Sequence, residues 1–190
     1  MTSSDRPSIA CLCVALATIL PSVALAEAPQ GQPHVHGRAT LSLVIEEMSL
    51  TIEFAAPLHD LAGFEHAART TEDKAALGRL RQKLEKPQAI VSLPTGAGCT
   101  TRSVMIEGIS AETHAHDHGD AKHHEGDDDG HADVIATYTL SCSALHSLSE
   151  VNVAVQSTFP AISTVDVAVL GPGAQFARKL TGTNTLLRLR

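Results

Sequence analysis

The sequence has few aromatic side chains: four Phe, one Tyr and no Trp in 190 residues. Its core must be assembled from Val, Leu, Ile and Ala, and it offers no stacking platform for bases or sugars. Positive charge is not in excess either. Fourteen Lys and Arg face 21 Asp and Glu, a formal net charge of −7, which argues against a nucleic-acid partner. The common catalytic motifs are missing: no H-E-x-x-H, G-x-S-x-G or phosphate-binding loop occurs anywhere.

Cysteine is scarce, and half of it lies in a segment that does not belong to the fold. "MTSSDRPSIACLCVALATILPSVALA" joins a polar start with Arg6, an apolar run and the ending Ala24-Leu25-Ala26. This is the pattern of a secretory leader cleaved after Ala26. Pro21 interrupts a run already too short to span a membrane comfortably, so no anchor is expected in the mature form. Residues 1–26 then leave with Cys11 and Cys13, and residues 27–190 remain as an exported chain holding Cys99 and Cys142. In an oxidising compartment an even pair reads as a disulfide; the competing reading is two separate buried thiols.

The mature chain is patterned mostly as strands. "GRATLSLVI" and "SLTIEFAAP" alternate around a short polar break and read as a β-hairpin. "TTEDKAALGRLRQKLEKP" reads as a helix, with Thr70 and Asp73 in capping-box positions, Leu77, Leu80 and Leu84 on one face, and Pro87 as the stop. A short strand is expected within 88–93. "CTTRSVMIEGIS" and the alternating "DVIATYTLSC" face each other across a polar stretch. Antiparallel pairing of Cys99 with Cys142 puts Ser110 near His131, although the apolar parity of 102–108 is then off by one and calls for a bulge. "EVNVAVQ", "TVDVAVL" and "TLLRLR" are further strand candidates. The expected fold is a single α+β domain on a mostly antiparallel sheet, with one main covering helix and a long disordered His/Asp-rich loop.

That loop is the polar stretch, "AETHAHDHGDAKHHEGDDDGHAD". Residues 111–133 hold six histidines, eight acids and one lysine, which puts the whole net charge here; the other 13 acids and 13 bases balance. Neutral imidazole and carboxylate are the ligands of zinc, copper and nickel. His114, His116 and His118 alternate, His123 and His124 are adjacent, and His131 stands where the stretch rejoins a strand. Ordering a mobile segment costs conformational entropy, so several ions of moderate affinity are expected, a behaviour suited to capture and hand-over. The competing reading is a solvated low-complexity loop. "HAHDH" is one residue short of the H-x-H-x-D-H pattern of binuclear zinc hydrolases, and it lacks the apolar flanks that fix a catalytic metal. No enzyme is expected.

Outside the loop, "HVHG" places His34 and His36 just before the first strand, and "GFEH" places His66 beside Glu65 near the helix start. These three histidines are candidates for one ordered site, against the plain alternative of surface histidines. His59 and His146 read as structural.

"HVHGRATLSL", "GFEHAART", "GAGCT", the His/Asp loop before "HADVIATYTLSC", and "FPAISTVDVAVLGP" follow in an order that resembles the ZrgA-like family of zinc-regulated periplasmic proteins. The resemblance covers nearly all of the mature chain. It implies a periplasmic zinc-binding protein that supports zinc acquisition or buffering under limitation, beside a zinc ABC importer. It also implies that His34, His36, His66 and the six loop histidines meet Zn2+, and that Cys99 and Cys142 match the family's cysteine pair. One departure is Ala68, where the family pattern has proline. The alternatives are a copper or nickel chaperone or buffer, since histidine and carboxylate discriminate weakly among these ions, and a metal-dependent hydrolase.

Overall fold

In a computed structural model, residues 35–109, 133–182 and 185–189 are described. The expected leader, and the disorder expected of 111–133, lie outside them apart from Asp133, and all described residues fall in one compact unit, Pro33–Arg190.

The two alternating segments form β1 (Arg38–Ile45) and β2 (Ser49–Pro57), an antiparallel pair in which Leu41 faces Phe54 and Leu43 faces Ile52. The turn between them closes with the Glu46 N–H donating to the Ser49 carbonyl at 2.8 Å. Pro57 ends β2, and a five-residue helix, α1 (Leu58–Ala62), follows at once. Gly63 stops it in the left-handed region, φ 89°, donating its N–H to the His59 carbonyl at 2.8 Å.

Helix α2 (Thr71–Leu84) begins with the expected capping box. Asp73 N–H donates to Thr70 Oγ1 at 3.0 Å, and Thr70 N–H donates to Asp73 Oδ2 at 3.1 Å. The Thr70 N–H holds the Asp73 carboxyl below its ordinary pKa. Leu77, Leu80 and Leu84 are the buried face of the helix.

The main sheet takes in β4 (Cys99–Glu107), β5 (Asp133–Cys142), β7 (Thr164–Gly171) and β8 (Ala174–Thr181), in the order β4-β5-β2-β1-β7-β8. Its pairs are antiparallel except β1 with β7, which is parallel. A second sheet of β3 (Val91–Ser92), β6 (Glu150–Val153) and β9 (Leu186–Arg188) was not anticipated as separate. "EVNVAVQ" is shorter as a strand than its alternation implies, because α3 (Val155–Thr158) takes over its end. Strand β5 alternates throughout, with Val134, Ala136, Tyr138, Leu140 and Cys142 buried. It pairs with β4 in the expected register, Cys99 opposite Cys142, and the anticipated irregularity falls between Thr101 and Ser103. A disulfide joins Cys99 and Cys142 across 43 residues of sequence.

The only tyrosine in the chain ties sheet to helix. Tyr138 is fully buried, and its hydroxyl donates to the Leu84 carbonyl at the end of α2 at 2.7 Å. Burial pushes its phenol above the usual value, so it stays a donor at any physiological pH. Tyr138→Phe keeps the ring and leaves the Leu84 carbonyl without this donor. The expected loss is about 1–2 kcal/mol, read as a lower urea midpoint at unchanged slope.

Candidate metal centre

The chain direction explains the site. Strands β1 and β2 are antiparallel, so the residues before Arg38 and those after Pro57 lie at the same end of the sheet. Asp133 pairs with Pro57 on the other side of β2. This rim therefore carries His36 and Gly37, the start of α1 with His59 and Asp60, and the strand ends that flank residues 110–132.

Asp60 is the fixed point. Its side chain is 4% exposed, and its Oδ2 accepts the Gly37 N–H at 2.6 Å. Gly37 is itself clamped: its carbonyl accepts the N–H groups of Ser163 at 2.9 Å and Thr164 at 3.0 Å, and the Ser163 hydroxyl at 3.1 Å. With φ 77°, Gly37 sits where a side chain would be strained. The other carboxylate oxygen, Oδ1, faces the imidazoles, 3.6 Å from His36 Nδ1 and 3.6 Å from His59 Nδ1. The two rings meet edge to face with centroids 4.8 Å apart, and each side chain is 52% exposed.

One ligand atom from each of His36, His59 and Asp60 lies within 4.8 Å of the others. Donors about 2.0–2.2 Å from a tetrahedral zinc ion stand about 3.3 Å apart. The Asp60–imidazole distances are close to that value, and the exposed rings need only swing inward to meet it. The donor set, two imidazoles and one carboxylate, suits zinc and leaves the solvent side open for a further ligand. Glu65 borders the group, its Oε1 3.3 Å from His36 Nε2.

Of the candidate ligands read from the sequence, His36 is part of this cluster. His66 is not: its ring stacks on Phe64 with centroids 4.9 Å apart, and its Nδ1 lies 3.1 Å from the Ala67 carbonyl. His34, His114, His116, His118, His123, His124 and His131 lie outside the described residues. His59, which reads as structural in the sequence, joins His36, and Asp60 is a further member outside the expected ligands. The sequence does hold a signal for both. "PLHDLAG" brackets a short helix between Pro57 and Gly63, the usual asymmetry of helix ends, directly after a strand antiparallel to the one that His36 precedes. His146 stands on the turn Leu145–Ser147, beyond the far end of β5.

A sheet domain that gathers two imidazoles and a buried carboxylate at an open rim has the make-up of a metal-ion-binding module. The family model described as ZrgA family zinc uptake protein matches residues 33–189, and the chain belongs to that family. Its role is thus zinc-related, in a family of zinc uptake rather than a known enzyme family. No curated protein matches the chain. Among the described residues no helix is long and apolar enough to cross a membrane.

Proposed function

We propose that this chain is an exported, periplasmic zinc-binding accessory protein that supports zinc acquisition or buffering when the metal is limiting. Residues 1–26 are its cleaved leader, and residues 27–190 form one zinc-binding domain. Residues 111–133 collect several ions at moderate affinity, through His114, His116, His118, His123, His124 and His131. An ordered site of His36, His59 and Asp60 takes one. His34 and His66, the other histidines near this rim in sequence, are further candidate ligands. A zinc ABC importer component is the natural recipient, and no catalytic turnover is part of the reading.

The observation that carries this is the meeting of His36, His59 and Asp60 at the rim where β4 ends and β5 begins. The strand ends that bound the His-rich segment lie at the same rim as the ordered donors. The disulfide adds support for export, because such bonds persist in oxidising compartments.

The test is native mass spectrometry of the mature protein titrated with zinc. The protein is expected in the periplasmic fraction with Glu27 as its first residue, and it binds more than one ion. The double variant His36→Ala/His59→Ala binds one ion fewer and keeps the rest. An unchanged ion count in that variant would remove the ordered site from the proposal, and a cytoplasmic, unprocessed protein would remove the export.

A further inference from the structure

We infer that Gly37 is the positioning residue of the ordered site: its N–H takes Asp60 Oδ2, which leaves Asp60 to meet an ion through Oδ1 alone. This rests on the reading of His36, His59 and Asp60 as a zinc site.

Asp60 is the one carboxylate buried among the described residues, its side chain 4% exposed. A buried carboxylate is costly unless its oxygens find donors or a cation. Here the two oxygens are treated differently. Oδ2 accepts the Gly37 N–H at 2.6 Å, a short, charge-assisted bond. Oδ1 stands 3.6 Å from His36 Nδ1 and 3.6 Å from His59 Nδ1. The N–H turns the positive end of its dipole toward Oδ2, so a cation is repelled from that oxygen and drawn to the other. Asp60 thus offers a single oxygen in a single direction, the role that suits a four-coordinate ion already met by two imidazoles. Calcium, which gathers many oxygens and often takes carboxylates bidentate, gains little here.

The fold holds Gly37 ready for this. It stands one residue ahead of the parallel pair of β1 with β7, which begins at Arg38 opposite Thr164. Its carbonyl accepts the N–H groups of Ser163 and Thr164 at 2.9 and 3.0 Å and the Ser163 hydroxyl at 3.1 Å. Ser163 is fixed in turn, because Gln156 Nε2 donates to its carbonyl at 2.9 Å. Gly37 is thus gripped from the start of β7 on its carbonyl side and meets Asp60 of α1 on its N–H side. A Cβ on Gly37 would lie 3.3 Å from Ser163 Oγ, at a φ of 77° that disfavours any side chain. A ligating carboxylate is commonly held by such a hydrogen bond, and loss of the partner weakens metal affinity about 10–100-fold. The "HVHG" motif acts on the site through its glycine as well as through His36.

The Gly37 amide and the ring nitrogens of His36 and His59 in the 15N-labelled full chain read this directly, because ions held elsewhere do not register there. In metal-free protein the Gly37 amide proton is expected downfield of ordinary amides and slow to exchange with solvent. Zinc is expected to shift the ring nitrogens while the Gly37 amide keeps its slow exchange. Gly37→Ala is expected to raise the zinc concentration for half-response at the rings about 10–100-fold. Asp60→Asn tests the two oxygens without touching Gly37, because the Asn side chain has one oxygen where Asp has two. That oxygen is expected to stay with Gly37, so the slow amide persists and the zinc response of the rings is lost. A fast-exchanging Gly37 amide, with or without zinc, would overturn the inference. So would an unchanged half-response in Gly37→Ala, or an Asp60→Asn variant that binds zinc as its Gly37 amide is released. Silence of both rings toward zinc in the wild type would overturn the site reading itself. The two failures are told apart because the Gly37 amide is read before zinc is added.

Discussion

Deletion of residues 111–132, with the strand ends joined by a short Asn-Gly turn, is expected to leave a folded protein that binds a single zinc ion. The deleted stretch carries six of the 11 histidines, seven of the 21 acids and one lysine. Most of the ligand count goes with it, and so does most of the net negative charge that concentrates cations. The fold has other supports at this point. Strands β4 and β5 pair from Cys99 opposite Cys142 up to Glu107 opposite Ile135. Beyond the last pair the chains come so close that a Cβ on Gly108 would run into the Asp133 carbonyl oxygen. Ile109 is buried, and its carbonyl accepts a hydrogen bond from Arg81 Nη2 of α2 at 3.0 Å. Both ends of the excised segment are thus held by the body of the protein, at a separation that a hairpin turn closes. Native mass spectrometry with zinc reads the ion count, and thermal unfolding reads the fold. The ion that survives should disappear with His36→Ala or His59→Ala. Unfolding of the deletion variant would make the segment part of the fold, and an undiminished ion count would make it a solvated loop without a metal role.

Much of the fold was legible in the sequence because strand and helix periods differ. The period of two in "GRATLSLVI", "SLTIEFAAP" and "DVIATYTLSC" marked three adjacent central strands, and each buries the face that the alternation assigned to it. The capping box at Thr70 and Asp73 marked the start of α2 to the residue. Strand β8 escaped notice because its two faces are not distinguished. Gln175, Ala177, Arg178, Lys179 and Thr181 are exposed and Leu180 is buried, as befits a sheet edge. The second sheet escaped because two of its three strands are two and three residues long, too short for any period to show. The site was legible only in part, for a topological reason. His36 stands out beside His34 in "HVHG", whereas His59 is a lone histidine 23 positions on, next to an aspartate that sequence alone does not bury. Only the antiparallel return of β2 along β1 brings the two together, and only the Gly37 N–H tells Asp60 which way to turn.

Replacing both cysteines, Cys99→Ala with Cys142→Ala, is expected to reduce folding stability by about 4 kcal/mol. The bond joins residues separated by 43 positions, and closing a loop of that length removes about 13 cal/mol/K of entropy from the unfolded chain. Against a typical total of about 5–15 kcal/mol, that is a large share. The folded state gives little back. Cys142 is buried in the core and Cys99 packs against it, and the two alanines leave a small void where the sulfurs met. Both urea-unfolding parameters should move. The midpoint falls because stability is lost, and the slope rises because the uncrosslinked chain exposes more surface. Zinc binding at the ordered site should hardly change. The disulfide sits at the opposite end of β5 from the rim, and a ten-residue strand puts about 30 Å between them. Thiol titration of the denatured, unreduced wild-type protein should find neither Cys99 nor Cys142 free. A stability loss under about 1 kcal/mol in the double variant would mean that pairing of β4 with β5, and not the covalent link, already restrains the unfolded chain. A large loss of zinc affinity at His36 would mean that the two ends of the sheet are coupled, which the separation of disulfide and rim does not suggest.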